Sequence, residues 1–307
     1  MDTLKLSYII LAICIVILFY YTNQWYKKQN NEVELFINYK QSNKSTKSTK
    51  STKSTKSNKS TESTESIEYV DKLDANNSID YKQGVPKIIH QTAPKNRNLW
   101  SKTWYECHKT WQKHFPTSEY KHILWYDEDL DHFIKTKHNW FYKYYKNYPK
   151  NINRIDIARY FILYTYGGIY ADMDYYCSKN FYKFLDKNKV TIVESPYKEN
   201  EHLHNCLMAS PKGHPFWFDV VNEILISRHY KSVLDVSGPR VLDRSYNKNN
   251  NIKRVKILPQ NLFNPKLNSA DFYSKSNYTK HYLTNVWTSN IYGPNKRDML
   301  FKKVRLK

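Results

Sequence analysis

RIDIARYFILYTYGGIYADMDYY, residues 154–176, runs from an apolar segment through a glycine pair to two aspartates, Asp172 and Asp174, one residue apart. Residues 152–166 read as a helix that Gly167 and Gly168 stop, and IYADMD then reads as a strand. That order delivers the aspartates to the carboxyl end of a sheet strand, the edge at which open α/β sheets bind ligands. Strand alternation would point both carboxylates one way, with Met173 opposite. Two converging carboxylates repel unless a cation lies between them. Oxygen ligands that leave a coordination shell incomplete suit Mg²⁺ or Mn²⁺ shared with substrate phosphates.

The bare D-x-D pattern decides nothing, because it occurs three times: Asp127/Asp129, Asp129/Asp131 and Asp172/Asp174. The first two pairs sit in what reads as the first turn of a helix, where acidic residues suit capping and the helix dipole, and are read as structural. Within the preceding helix, Asp156 and Arg159 at i and i+3 share a face and interrupt the apolar run of Ile155, Ile157, Ala158, Phe161 and Ile162. Those flanks argue for burial or a site wall over a surface ion pair. A fixed carboxylate beside a guanidinium is suited to gripping sugar hydroxyls.

Outward from this block, strand and helix signals alternate. PKIIHQT (86–92) reads as a buried strand behind a proline. Trp100, Trp104, Cys107 and Trp111 recur at helical steps until Pro116. YKHILWYDED reads as a strand entering a helix, VTIVES (190–195) as a strand, HPFWFDVVNEILI as a helix and IKRVKILP (252–259) as a late strand. Such alternation, with continuously apolar strands, predicts an α/β fold with a largely parallel sheet.

The 307 residues, 40% hydrophobic and 16% aromatic, suffice for one ordinary domain with appendages and exclude wholesale disorder. The formal charge of +21 invites a polyanion partner. However, Lys40, Lys44, Lys47, Lys50, Lys53, Lys56 and Lys59 lie in one low-complexity run. No nucleic-acid-binding motif accompanies the charge, so nucleic acid is not expected as a partner. Residues 6–21 carry no charge and would span roughly 24 Å as a helix, close to the ~27 Å hydrocarbon of an endoplasmic reticulum bilayer. Tyr20, Tyr21, Trp25, Lys27 and Lys28 supply interfacial flanks, and no small-residue cleavage site follows. Three regions are expected: an N-terminal transmembrane anchor at 1–28, a Ser/Thr/Lys stalk at 29–84 that has too little apolar surface to fold, and a catalytic domain at 85–307.

VPKIIHQT, RIDIARYFILYTYGGIYADMD, HNCLMASPKGHPF, SGP and HYLTNVW together resemble the DXD-containing glycosyltransferases of the Och1-like group (glycosyltransferase family 32). They are more distantly similar to the catalytic core of the clostridial glucosylating toxins. The resemblance runs from Val85 to Trp287. It implies a GT-A fold and a hexosyltransferase that uses a UDP- or GDP-linked nucleotide sugar with Mn²⁺ or Mg²⁺ and retains anomeric configuration. The acceptor would be a glycan, protein or lipid. Residue by residue, it implies that Asp174 binds the metal directly, while Asp172 contacts ribose and donor sugar and supports the metal through water. Asp156 and Arg159 would hold the donor sugar's hydroxyls, and Tyr170 would pack at the donor site. His281 would complete the metal or diphosphate shell, with Trp287 behind it, although the family's usual Ser-Trp ending reads Val286-Trp287 here. His90 is either structural or near the nucleotide; Asn205 and Gly238-Pro239 border the acceptor cleft.

The resemblance also implies a type II membrane protein with a lumenal catalytic domain. Sequons at Asn43, Asn58, Asn76 and Asn277 suit that side. Lys27, Lys28 and the early stalk lysines outnumber Lys5, which by the positive-inside rule favours a cytosolic domain, so both orientations stay open. Cys107, Cys177 and Cys206 have no metal-finger spacing, and one pair could bridge in an oxidising lumen. Two other classes fit parts of the sequence: a basic nucleic-acid binder, which leaves the acidic cluster unexplained, and a catalytically silent glycan-binding module, which the intact Asp156, Arg159, Asp172 and Asp174 argue against.

Overall fold

The glycine pair fixes where the decisive helix stops and the decisive strand starts. In the computed structural model, which describes residues 84–284 except 249, helix Asn151–Tyr166 ends at Gly167, whose φ is 66°. A Cβ on Gly167 would lie 2.7–2.8 Å from Lys212 N, Pro86 Cδ and Ser210 O. Gly168, at φ 93°, opens the next strand with its α-carbon so close to β-sheet backbone that a Cβ would meet Ile88 O at 2.6 Å. Only glycine satisfies both the left-handed φ and the close approach.

Among the described residues, the eight strands are β1 Ile88–Thr92, β2 Lys121–Trp125, β3 Gly168–Ala171, β4 Tyr175–Cys177, β5 Val190–Glu194, β6 Leu203–Ser210, β7 Val255–Leu258 and β8 Thr279–His281. Six of them form one sheet in the order β2-β1-β3-β6-β5-β7. Only β6 runs against the rest. The antiparallel partner matters for the site, because it brings the beginning of β6 to the edge where β1, β3 and β5 end. There Ala171 pairs with Leu207, and Glu194 with Leu203. The β5–β6 register shifts between Ile192 and Val193, a bulge of the kind that re-aims side chains beside sites. Strands β4 and β8 make a separate antiparallel ribbon that pairs Tyr175 with His281.

The helices that frame this edge are α1 Lys102–His114, α2 Asp127–Lys137, α3 Asn139–Asn147, α4 Asn151–Tyr166, α5 Phe216–Ser227, α6 Val233–Val236 and α7 Pro239–Tyr246. Ser101 caps α1 by accepting from Trp104 N at 3.2 Å, and the helix buries Trp104, Cys107 and Trp111. Trp100 lies just ahead of it and is buried too. Helix α4 packs against β3, β6 and α5 and is buried on nearly every side, which is why its sequence is apolar all round. Ile89, Ile169, Val193 and Leu207 meet Trp111, Phe115 and Phe181 in the main core.

The α/β architecture with a mostly parallel sheet is as expected. Three particulars differ. The strand expected at 252–259 begins only at Val255, because Asn251–Arg254 forms a helical turn. Strand β6 and helix α3 had no expected counterpart. And Asp172–Asp174 is a turn, closed by Tyr175 N donating to Asp172 O at 3.0 Å, where an extended strand was expected. All described residues belong to one compact unit. The expected anchor and nearly all of the expected stalk lie outside the described residues. Among those described, no helix is long and apolar enough to cross a membrane.

Candidate active site

The turn after β3 converges the two carboxylates where a pleated strand would only have aligned them. Asp172 N donates to Cys206 O at 2.9 Å, which anchors the turn to β6. Met173 turns into an apolar cluster with Ala93, Trp100 and Trp104. Asp174 is then gripped from the β4–β8 ribbon. Its Oδ1 lies 3.1 Å from His281 Nε2, and its Oδ2 accepts from Thr284 N at 2.8 Å and Thr284 Oγ1 at 2.7 Å. Trp104 Nε1 donates to the same Thr284 hydroxyl at 3.2 Å, so the apolar cluster and the acidic turn share one strut.

Asp172 is held from the other side. Its Oδ1 receives Arg159 Nη1 and the Tyr170 hydroxyl, both at 3.0 Å. Arg159 reaches Asp156 through Nη2 at 3.0 Å and donates to Asn205 O through Nη1 at 3.0 Å. Its guanidinium lies over the Tyr170 ring, 4.6 Å from the centroid. Asp156 also accepts from Asn205 Nδ2 at 3.1 Å and Ser237 Oγ at 3.2 Å. One guanidinium thus spans two carboxylates from α4 and the turn; both are tied to β6, and Asp156 also to Ser237 just ahead of α7.

The electrostatics follow from this packing. Burial pushes the Asp156 carboxyl up to about 7, against the pull of Arg159, Ser237 and Asn205. Burial also raises Asp172, with Arg159 opposing and Asp174 adding to the rise. Burial opposes the charge of Arg159, but Asp172, Tyr170 and Asp156 more than restore it, so it stays a cation. For Asp174, burial would raise the carboxyl, yet His281 and the two Thr284 donors outweigh it and hold it well below the usual carboxylate range. His281 is raised by Asp174 despite its burial.

The turn opens into a cleft with a cavity volume of about 870 Å³, whose lining includes Asp156, Arg159, Asp172, Asp174 and His281. Asn205 and Gly238-Pro239, expected at the acceptor side, line it as well. Two expected cofactor contacts do not. His90 is fully buried, with its ring nitrogens committed to Gly167 O at 3.0 Å and Trp125 Nε1 at 3.1 Å. That makes it a brace for the glycine pair. Tyr170 is also fully buried; it positions Asp172 and Arg159 from below and does not itself reach the cleft. Trp287 lies outside the described residues.

Other readings change too. Asp129 does cap α2, accepting from Tyr126 N at 3.0 Å, and Asp131 pairs with Lys146, but Asp127 faces the cleft beside Asn151. Cys107, Cys177 and Cys206 are free, buried thiols. The Asn277 amide is buried and donates to Asp271 O and Phe272 O, which leaves this sequon no accessible nitrogen in the folded chain. Sequence reasoning missed Thr284 and His204, although both fall within the quoted stretches HYLTNVW and HNCLMASPKGHPF, because nothing there marks them as neighbours of the turn. Pairing of β4 with β8, and reversal of β6, bring them to the turn.

Asp172, Asp174 and His281 each offer a ligand atom within 4.8 Å of the others. Two carboxylates and an imidazole form a donor set that suits a divalent cation of the Mn²⁺ or Mg²⁺ type. Asp172 Oδ1 is occupied by Arg159 and Tyr170, and no described residue bonds its Oδ2, which leaves that oxygen for the cleft.

A mostly parallel α/β sheet with an acidic turn at its carboxyl edge defines a ligand-binding class, and comparison with known proteins narrows it. Residues 101–191 match the family described as glycosyltransferase sugar-binding region containing DXD motif. That segment carries Asp156, Arg159, Asp172 and Asp174, so the match falls on the residues behind the sequence resemblance. The chain is 37% identical over 163 residues to inositol phosphoceramide mannosyltransferase 3 of Schizosaccharomyces pombe, covering 52% of this chain and 44% of that protein. It is 26% identical over 227 residues to an uncharacterized glycosyltransferase of Acanthamoeba polyphaga mimivirus, covering 67% of this chain and 85% of that one. A solved glycosyltransferase involved in glycosylation of the PBCV-1 major capsid aligns with TM-score 0.46 at 10% identity, over 72% of this chain and 98% of that one. The chain spans about half or less of the length of the fungal relatives it matches.

Proposed function

We propose that this chain is a divalent-metal-dependent glycosyltransferase of the GT-A type, which moves a hexosyl group from a nucleotide sugar to an acceptor in the cleft. The observation that carries the reading is the convergence of Asp172, Asp174 and His281 at a cleft of about 870 Å³. That volume is within the range that encloses a ligand of nucleotide-sugar size. The names of the fungal relatives favour mannose as the hexose and an inositol-phosphate lipid as the acceptor.

Asp174 and His281 would hold Mn²⁺ or Mg²⁺ with Asp172 beside them. The chemistry such an ion supplies, when bound, is neutralisation of charge on the departing diphosphate. The chain's own residues do the positioning. Arg159 fixes Asp172 from below, so the free Oδ2 keeps one orientation toward the donor. Asp156 and Arg159 form the cleft floor, where their preset geometry orients sugar hydroxyls and lowers the entropic cost of reaching the reactive pose. The apolar wall of Ala93, Trp104 and Met173 excludes water beside the acidic turn. Retention, inherited from the sequence resemblance, would proceed by same-face displacement, with the leaving phosphate taking the acceptor's proton.

Calorimetric titration with UDP and GDP, each with Mn²⁺ and with EDTA, tests the reading. Binding that requires the metal is expected. Equal affinity in EDTA would remove the metal site, and no binding of either nucleotide would remove the donor assignment. A screen of UDP- and GDP-sugars for metal-dependent hydrolysis then names the donor.

A further inference from the structure

Behind the acidic turn lies a second cluster of different chemistry. His204 and Cys206 come from the start of β6, and His281 from β8. Their ligand atoms all lie within 4.8 Å of one another. Cys206 is fully buried and His281 nearly so, whereas His204 lines the cleft. His204 Nδ1 accepts from Cys206 N at 3.3 Å, a long contact that holds the imidazole beside the thiol and that ligation through this nitrogen would replace. His281 Nδ1 is buried and makes no hydrogen bond of regular geometry among the described residues, its ring interacts with the Cys206 thiol, and its Nε2 faces Asp174. His281 therefore stands between two donor sets: carboxylates on one side, and a thiol with a second imidazole on the other.

We propose that His204, Cys206 and His281 form a binding site for Zn²⁺, overlapping the Mn²⁺/Mg²⁺ site through His281, so that zinc and the activating ion compete. Two imidazoles and a thiolate are the ligands of a three-residue zinc site with one position left open, here toward the cleft that His204 lines. Sulfur and nitrogen donors favour Zn²⁺ strongly over Mn²⁺ or Mg²⁺, whereas the neighbouring carboxylates do not make that distinction so sharply. Binding through His281 Nδ1 releases the Cys206 thiol proton and the Nδ1 proton of His281 to solvent and leaves Nε2–H donated to Asp174. His281 then has no ring nitrogen left for the activating ion, and the Asp172–Asp174 pair loses the imidazole that completes its donor set. The consequence is inhibition by zinc at an enzyme that manganese activates. The inhibitory part rests on the proposed glycosyltransferase reading; the binding part does not.

The test uses the full chain with cobalt as a zinc surrogate. Co²⁺ should give a thiolate-to-cobalt charge-transfer band in the near ultraviolet, and stoichiometric Zn²⁺ should bleach it. Cys206→Ala should lack the band and bind Zn²⁺ more than about 10-fold more weakly, a loss that even outer-sphere partners can cause. It should retain metal-dependent nucleotide binding while losing sensitivity to zinc. His204→Gln, at a cleft-lining position, supplies a second variant if the buried cysteine substitution fails to fold; it should weaken Zn²⁺ binding and keep a sulfur band. A wild-type cobalt spectrum with no sulfur band overturns the site whether or not the protein transfers sugar. A band that persists in a folded Cys206→Ala overturns the assignment of the ligand. Zinc inhibition unchanged in either folded variant overturns the competition while leaving the glycosyltransferase reading intact.

Discussion

Asp156 and Asp174 are both acidic and buried at one site, yet their surroundings drive them in opposite directions. Asp174 is charged and stays so, gripped by His281 and Thr284. Asp156, raised by burial to about 7, is poised near neutrality and shares its arginine with Asp172. The roles should separate accordingly. Asp174→Asn is expected to abolish Mn²⁺-dependent nucleotide binding in calorimetry, because it removes a charge from the proposed metal site. Asp156→Asn is expected to leave that binding intact and lower turnover, because its oxygens serve the cleft floor. Equal loss of nucleotide binding in both folded variants would refute the separation. A pH effect follows from the same residue. A carboxyl whose pKa rises from 3.8 to about 7 on folding holds a proton, between those values, that the unfolded chain has released. The native state then binds more protons, so stability falls as pH rises through that window. Thermal melts between pH 5 and pH 8 should show a smaller decline for Asp156→Asn than for the wild type; parallel declines would mean that Asp156 is ionised throughout.

At the scale of elements, the sequence discloses whatever is written in neighbouring residues and conceals what depends on distant ones. The helix, glycine stop and strand at 151–171 were legible because the apolar run, the Gly-Gly break and the β-branched residues sit side by side. The same block identified Asp156, Arg159, Asp172 and Asp174, all of which line the cleft. His281 came from a looser motif, and the structure supplies its reason in the pairing of Tyr175 with His281. Strand β6 was not legible, since its HNCLMAS stretch has neither clean alternation nor a turn signal at the bulge. With it went His204 and Cys206 as neighbours of the turn. Of the two readings of His90, structural or near the nucleotide, the structural one agrees with the geometry, because Trp125 and Gly167 occupy both ring nitrogens. The glycine stop itself can be tested. Gly168→Ala forces a Cβ to within 2.6 Å of Ile88 O and onto a residue at φ 93°. Left-handed strain and overpacking together should cost about 3 kcal/mol, or a fall in Tm of roughly 6–12 °C for a domain of this size. A change below roughly 2 °C would show that β1 and β3 can separate without loss.

At the scale of the whole molecule, the described elements around the cleft join residues far apart in the chain, from Thr92 to Thr284. The cleft's floor is α4, its walls are the ends of β1 and β3, the start of β6 and the start of α7, and its back is the β4–β8 ribbon. The core beneath it is closed by residues from Val85 to Phe263. The net charge of +21 includes the low-complexity lysine run between 40 and 59, which lies outside the described residues. An N-terminal segment of that composition suits reach and placement at a membrane, not binding of the donor. A form lacking residues 1–79 should therefore stay folded, bind nucleotide with the affinity of the full chain, and turn over a small soluble acceptor at the same rate. It should lose turnover only on an acceptor embedded in vesicles. The comparison is kcat/KM of the two forms on the same soluble acceptor in detergent, with circular dichroism as the fold control. A loss of more than about 10-fold on the soluble acceptor would correspond to about 1.4 kcal/mol of transition-state stabilisation. The N-terminal lysines would then be electrostatic contacts for an anionic donor or acceptor, and raising the salt concentration should erase the difference between the two forms.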